Sequence, residues 1–458
     1  MKEEKMPSPF VMQVKDNVSC IVETVADSAT VFDEDFHGNA IAIPGTDYRY
    51  IPFGVDDQLP YEIIRHIGRD EILSQNKFFN VLTCYASGLN YTEYATDKPT
   101  RNPEIRRFVM RNSLPSFFLE QCTDMKYFFF SVDVVIVSKD RKQIVQIRHK
   151  EACYCRFEEA DKNGKINHIF YGDFRESTPS IDKLERIRLL DFRDPLGELM
   201  VLMGREPGKD GKCEVRTNEY KFAIVSKFPT PGLQYYPVPY YTSIFRGHWY
   251  DIKQLIGIGK KAKLRNSSSI KYHVEVHKDY WEQVCSAENI YDPEERKKRI
   301  AKEYENIKEF ISGIDNHGKL WVSGFYQNPD GKEVSMVKIN LIDSSKEGGD
   351  WTDDIQESSN VVCYADNIHP NLVGATPGKS QSNNSGSDKR ELFTLKQSLE
   401  KAPHDILSAV HNVVISFNGW DDVVYPDIPL IMLTTLDQKN DAKKVSMNNN
   451  TEKEPNDE

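Results

Sequence analysis

The run Tyr127-Phe-Phe-Phe-Ser-Val-Asp-Val-Val-Ile-Val137 is built almost wholly from aromatic and β-branched residues, and such a run reads as a buried strand. A helical stretch over about 103–126 leads into it, and short strands follow at 143–148, 154–158 and 166–170 with the turn Asp161-Lys-Asn-Gly164 between the last two. Upstream, Pro60 suits a first helical turn. Ile63, Ile64 and Ile67, then Phe78, Phe79, Leu82 and Tyr85, recur at helical spacing until Ser87-Gly88 ends the run. Helices first and a strand meander after define an α+β class.

Downstream, residues 175–236 alternate short apolar pieces with Pro/Gly breaks and read as a small β-rich insertion. The spacing of Ile244, Trp249, Ile252, Leu255, Ile256 and Ile258 predicts a long helix over 242–265, weakened at Gly257 and Gly259. Asp292-Pro293 is an N-cap and first-turn pair for a helix carrying Ile300, Tyr304, Ile307 and Ile311. A hairpin is expected over 319–326 and 333–342, then a helix over 350–365. Residues 374–388 read as a Gly/Ser/Asn-rich loop, with helices again at 392–399 and 406–417. The Lys/Asn/Glu-rich end from Asp437 shows no apolar period and is expected to be disordered.

A chain of 458 residues with 39% hydrophobic content has room for two to four cores. Its net charge of −11 argues against coating nucleic acid through a basic surface. No apolar run approaches the ~20 residues of a membrane span, and the start, Met1-Lys-Glu-Glu-Lys5, lacks the apolar stretch of a secretory signal. These features lead to the expectation of a soluble protein in a cytoplasm. The eight cysteines are scattered without a disulfide framework, as suits a reducing compartment.

Each motif that suggests chemistry has a plainer reading. Gly374-Ala-Thr-Pro-Gly378-Lys379-Ser380 resembles a phosphate loop, but the Walker pattern needs four residues between its glycines, and no helix-forming segment follows Ser380. In His273-Val-Glu275-Val-His277 strand alternation puts both imidazoles and the carboxylate on one face, which suits a metal or simply a solvated strand side. Cys153-Tyr-Cys155 has no second pair at zinc spacing and reads as two thiols on one side of a strand. Lys260, Lys261, Lys263 and Arg265 form a basic cluster at the end of the long helix, where cations favour the helix C-terminus or meet a phosphate backbone. No motif calls for a catalytic residue, a metal or a cofactor.

The order of four stretches carries a resemblance. They are Phe53-Gly-Val-Asp-Asp-Gln-Leu-Pro60 with its helix to Ser87-Gly88-Leu89, the strand-rich piece 132–171, Val238-Pro-Tyr-Tyr241 with the helix to Asn266-Ser-Ser-Ser-Ile270, and Ile368-His-Pro-Asn-Leu-Val-Gly374. A fifth, Gly386-Ser-Asp-Lys-Arg-Glu-Leu392, is similar to the start of the C-terminal helix of the same family. Over about residues 50–437 the chain resembles the portal, or head-tail connector, proteins of tailed bacteriophages, especially those of phages with Bacteroidetes hosts.

The resemblance implies a ring of identical subunits, usually twelve, at one capsid vertex around a DNA channel. It implies an α+β wing over 50–175, a β-rich clip over 176–236, and a stem helix with the following strand over 237–290. It further implies a helix, hairpin, helix and channel-side loop over 291–387 and a helical crown over 388–436. Residues 1–49 have no assigned role, and 437–458 form the tail. The implied partners are further copies of the chain, the terminase, major capsid and scaffold proteins, neck and tail connector proteins, and double-stranded DNA held without sequence preference. No membrane and no cofactor is implied. The implied location is the virion, with assembly in the host cytoplasm. Candidate DNA-channel or intersubunit contacts are Lys260, Lys261, Lys263, Arg265, Lys379, Lys389 and Arg390.

Two other readings stand beside this one. A nucleotide- or metal-dependent hydrolase would use Lys379 and Ser380, or His273 and His277. A head-completion adaptor would form a ring too, but such proteins are usually much shorter.

Overall fold

The computed structural model describes residues 10–15, 18–22, 38–175, 178–208, 210–266, 272–312, 325–327, 333–341, 351–373 and 386–431. They divide into two compact units. The first takes the described residues up to Arg246 and from Asn360 onward, and the second those of 247–359.

The first unit opens with two antiparallel hairpins, β1 (Phe10–Lys15) with β2 (Val18–Val22) and β3 (Ile41–Ala42) with β4 (Arg49–Tyr50). Helices α1 (Leu59–Arg69) and α2 (Glu71–Tyr85) are the anticipated helical pair. Pro60 sits in the first turn of α1, and the Asp70 carboxylate caps α2 by accepting from the N–H groups of Ile72 and Leu73 at 3.0 and 2.9 Å. The face of α2 is not the one its apolar residues suggest. Phe78 and Leu82 are 59% and 45% exposed, while Asn76, Lys77, Asn80 and Thr83 are buried.

Short strands β5 (Asn90–Glu93) and β6 (Lys98–Pro99) lead to α3 (Pro103–Arg111) and α4 (Leu114–Phe128). The stretch expected as one helix is therefore two. Ser113 takes a positive φ of 48°, and Pro115, which has no N–H to donate, restarts the helix in its first turn.

The anticipated strand is β7 (Phe130–Val137), followed by β8 (Ile144–Lys150), β9 (Cys155–Phe157), β10 (His168–Tyr171), β11 (Glu185–Leu189), helix α5 (Pro195–Leu202) and β12 (Lys221–Lys227). They make a six-stranded sheet in the order β8-β7-β12-β11-β10-β9, parallel only between β11 and β12. The segment expected as a clip thus supplies β11 and β12 to the middle of this sheet, where Val225 pairs with Val132 of β7. Cys153 and Cys155 do not share a strand, because Ala152–Tyr154 is a 3-10 turn and only Cys155 opens β9.

The second unit holds α6 (His248–Asn266), β13 (Tyr272–Val276), α7 (Lys278–Ala287), α8 (Pro293–Ser312), β14 (Phe325–Gln327), β15 (Glu333–Ser335), β16 (Val337–Leu341) and the start of α9 (Trp351–Ala365). The long helix starts at His248 rather than Thr242, since Tyr240–Phe245 forms a 3-10 turn. Asp292 caps α8 as expected, accepting from the N–H groups of Glu294 and Glu295 at 3.2 and 3.1 Å. β14 pairs with β15 in the expected hairpin, while β16 pairs with β13.

Helix α9 carries the chain back to the first unit, which closes with α10 (Pro370–Val373), α11 (Gly386–Leu399), α12 (Lys401–Phe417) and β17 (Val424–Asp427). Residues Leu407, Val410, Val414 and Phe417 of α12, within the expected crown, pack in one core with Phe117, Phe118 and Met125 of α4 and Val135, Phe222 and Ile224 of the sheet. Full burial contributes roughly 1.5–3 kcal/mol for each large side chain. This core joins α12 to α4 and the six-stranded sheet.

β8 is an edge of the sheet, and two asparagines occupy its free backbone groups. Asn418 accepts from Ile144 N at 2.7 Å and donates to Ile144 O at 3.1 Å, while Asn112 accepts from Ile147 N at 3.0 Å and donates to Val145 O at 3.4 Å. An edge satisfied in this way offers little to another strand.

Candidate functional site

The candidate contact residues fall in separate elements. Lys260 is half-buried and Lys261 exposed on α6, with Lys263 and Arg265 further along the same helix. Lys389 is exposed and Arg390 half-buried on α11. Lys379, with the rest of Gly374-Ser380, lies outside the described residues. His277 serves as the N-cap of α7, its Nδ1 accepting from Asp279 N at 3.4 Å. Among the described residues no group of three His, Cys, Asp or Glu side chains could hold a metal ion.

The Phe53–Pro60 motif is a structural lock. Gly54 has φ +88°, and a Cβ there would meet Leu59 Cβ at 2.6 Å, so only glycine makes this turn. Phe53 stacks on Tyr236 at 4.3 Å. Asp57 accepts from Phe53 N at 2.7 Å and from Nε of the fully buried Arg156, whose Nη1 donates to the carbonyls of Cys153 and Cys155, both at 2.9 Å. Burial pushes the Asp57 carboxyl up, and the Arg156 guanidinium works against that.

A second buried centre lies where the chain leaves the first unit and where it returns. Lys77 Nζ of α2 donates to Asp366 Oδ1 at 2.6 Å and to Lys126 O at 3.2 Å, and sits 3.0 Å from the ring centroid of Tyr241. Tyr241 belongs to the last turn before the chain leaves, and Asp366 follows α9 directly. Burial lowers the Lys77 ammonium to about 8, with Asp366 opposing, and burial raises the Asp366 carboxyl. Asn80 Nδ2 donates to Asp366 O at 3.0 Å, and Lys396 Nζ to Asn367 O at 3.1 Å. Lys126 pairs with the buried Glu400. The polar stripe of α2 is buried because it meets this cluster.

A third network runs through the core from Tyr91 OH to His411 Nδ1 (3.1 Å), His411 Nε2 to Gln121 Oε1 (3.2 Å) and Gln121 Nε2 to Asp133 Oδ2 (2.7 Å). His149 continues it, its Nδ1 3.1 Å from Asp133 Oδ1 and its Nε2 2.9 Å from Asp124 Oδ2. Burial opposes charge on His149, but the hydrogen bonds and negative charge of Asp124 and Asp133 outweigh it and raise the imidazole to about 10. His411 faces no carboxylate, and burial lowers it to about 3. These groups hold β5, α4, β7, β8 and α12 together.

The sequence reading passed over residues 98–111, where Lys98, Arg101, Arg106, Arg107 and Arg111 stand against one carboxylate, Glu104. The local charge excess was the signal, and its meaning depends on which carboxylates fold against it.

No family model and no curated protein matches the chain. Among solved structures it is similar to a chain in the virion of a native gene transfer agent particle, with TM-score 0.50 and 9% identity over 80% of this chain and 83% of that one. It is also similar to a chain in the neck of an empty gene transfer agent particle computed with C6 symmetry, with TM-score 0.50 and 11% identity over 81% and 84% of the two chains. At these identities the likeness is one of fold: the chain shares its α+β architecture with these chains of gene transfer agent particles.

Proposed function

We propose that the chain is the subunit of a portal: a ring of twelve copies at one vertex of a phage-like capsid, through which double-stranded DNA is packaged and later ejected. The observation that carries this reading is the fold likeness to virion and neck chains over about four fifths of both partners. The order of sequence stretches between residues 50 and 437 and the net charge of −11 support it, since a strongly basic wall would hold DNA by counterion release. A ring of this kind fits a virion component assembled in the host cytoplasm. Among the described residues no helix is long and apolar enough to cross a membrane.

In this reading the six-stranded sheet and its helices form the wing, α6 forms the stem, and α11 and α12 the crown side. Residues 176–236 remain the proposed clip region, with their strands β11 and β12 rooted in the six-stranded sheet. Lys260, Lys261, Lys263, Arg265, Lys379, Lys389 and Arg390 are the candidate DNA or intersubunit contacts. The terminase supplies the ATPase, capsid and scaffold proteins surround the ring, and neck and tail connectors bind after packaging.

Negative-stain electron microscopy with the solution mass tests the proposal. Rings of about a dozen subunits with a central hole are the expected result. A protein that stays monomeric at high concentration and also when mixed with its capsid and scaffold proteins would overturn it.

A further inference from the structure

Helix α3 is capped at both ends, and among the described residues the cations on and just before it form no ion pair with a carboxylate. Asn102 caps it by accepting from Glu104 N at 2.9 Å, and Asn112 closes it by donating to Phe108 O at 2.9 Å. Its inner face buries Ile105 and Phe108, the latter edge-on to Trp420 at 5.5 Å. Its outer face carries Arg106, Arg107 and Arg111, all exposed, with Lys98 and Arg101 exposed just before the helix.

Among the described residues none of these five cations lies within ion-pair distance of a carboxylate. Glu104 accepts instead from Gln143 Nε2 at 2.8 Å. Glu93 is taken up by the Thr100 hydroxyl and the Arg101 backbone N–H, both at 2.9 Å. In a chain of net charge −11, this segment stays basic because its one carboxylate, Glu104, and the neighbouring Glu93 are engaged in hydrogen bonds rather than ion pairs.

At the centre of the arginines sits Met110, 74% exposed. Helical spacing places it one turn from Arg106 and Arg107 and next to Arg111 on the same outer arc. A phosphate backbone would make no use of a thioether there. Arginine and methionine are both enriched at protein interfaces, where arginine meets carboxylates through paired N–H groups and methionine adapts to an apolar side chain.

We propose that the outer face of α3 is a docking surface for an acidic protein segment carrying an apolar side chain among its carboxylates, with Met110 receiving that side chain. The proposal rests on charge complementarity and on Met110, and does not depend on the portal reading.

The test uses the full chain and three fluorescein-labelled probes of equal charge: a Glu-Glu-Leu repeat peptide, poly-glutamate and a short DNA duplex. Anisotropy should show the leucine-bearing peptide bound best. The variant Arg106→Glu/Arg107→Glu/Arg111→Glu should weaken it about tenfold or more, and Met110→Asp should abolish its advantage over poly-glutamate. Because every altered side chain is exposed, both variants should keep the wild-type circular dichroism spectrum and melting temperature. Tighter binding of the duplex through the same arginines would make the site a nucleic-acid contact and overturn the proposal. So would equal binding of the peptide by wild type and the triple variant, or a wild type that does not distinguish the two peptides.

Discussion

The Lys77 ammonium donates to the Asp366 carboxylate at 2.6 Å across 289 positions of chain, with both side chains buried. The same ammonium lies on the Tyr241 ring, so one lysine holds the strand of chain that leaves the first unit and the one that returns to it. Tyr241 is fixed in turn, its hydroxyl donating to Tyr127 O at 2.6 Å.

Replacing Lys77 with methionine strands the Asp366 carboxylate in the interior, and the expected cost is about 3–5 kcal/mol. The double variant Lys77→Met/Asp366→Leu should recover more than half of it, since removing both partners leaves no buried charge. Urea denaturation measures both. Hydrogen exchange should show lost protection at 240–245 and 366–368 in the single variant first.

His149 ties stability to alkaline pH. Its folded imidazole is raised from 6.5 to about 10, so its contribution is complete below pH 6.5 and is lost as pH rises through 10. The stability gap between wild type and His149→Gln should therefore shrink by about 1.4 kcal/mol per pH unit across that window. Denaturation series at pH 6, 7, 8 and 9 check this, and a constant gap would show that the imidazole is not held charged by Asp124 and Asp133.

The two glycines of α6 should respond differently to alanine. A Cβ on Gly257 meets nothing within 4 Å, so Gly257→Ala gains the helix propensity of about 1 kcal/mol. A Cβ on Gly259 would lie 3.1 Å from the Trp351 ring, and Gly259→Ala should lack that gain. Thermal melts of the two variants side by side decide it.

The asparagines at the β8 edge should protect it from other strands. Asn112→Ala leaves Ile147 N and Asn418→Ala leaves Ile144 N without partners, at about 1–3 kcal/mol each where the group is buried. The double variant should add concentration-dependent aggregation in sedimentation velocity, because the edge is then open to pairing.

How much of this was legible from sequence depends on how local each cause is. The cap at Asp292-Pro293, the strand of β7 and the hairpin of β14 and β15 follow from residues within a few positions of one another. The break at Ser113 is not legible in the sequence because helical spacing continues across it, and only the backbone turn reveals it.

The α+β class, most element positions and the acidic balance of the chain are legible from the residues alone, because periodicity, caps and charge are properties of neighbours along the backbone. Only the packed molecule shows that α2 buries Asn76, Lys77 and Asn80 and exposes Phe78, that Arg156 meets Asp57, and that β11 and β12 enter the six-stranded sheet. The physical reason is that the free energy of burying a charge depends on the partner waiting for it, and those partners lie tens to hundreds of residues away. The arginines of α3 are the converse case: their charge is plain in the sequence, but only the fold shows that among the described residues no carboxylate lies within ion-pair distance of them.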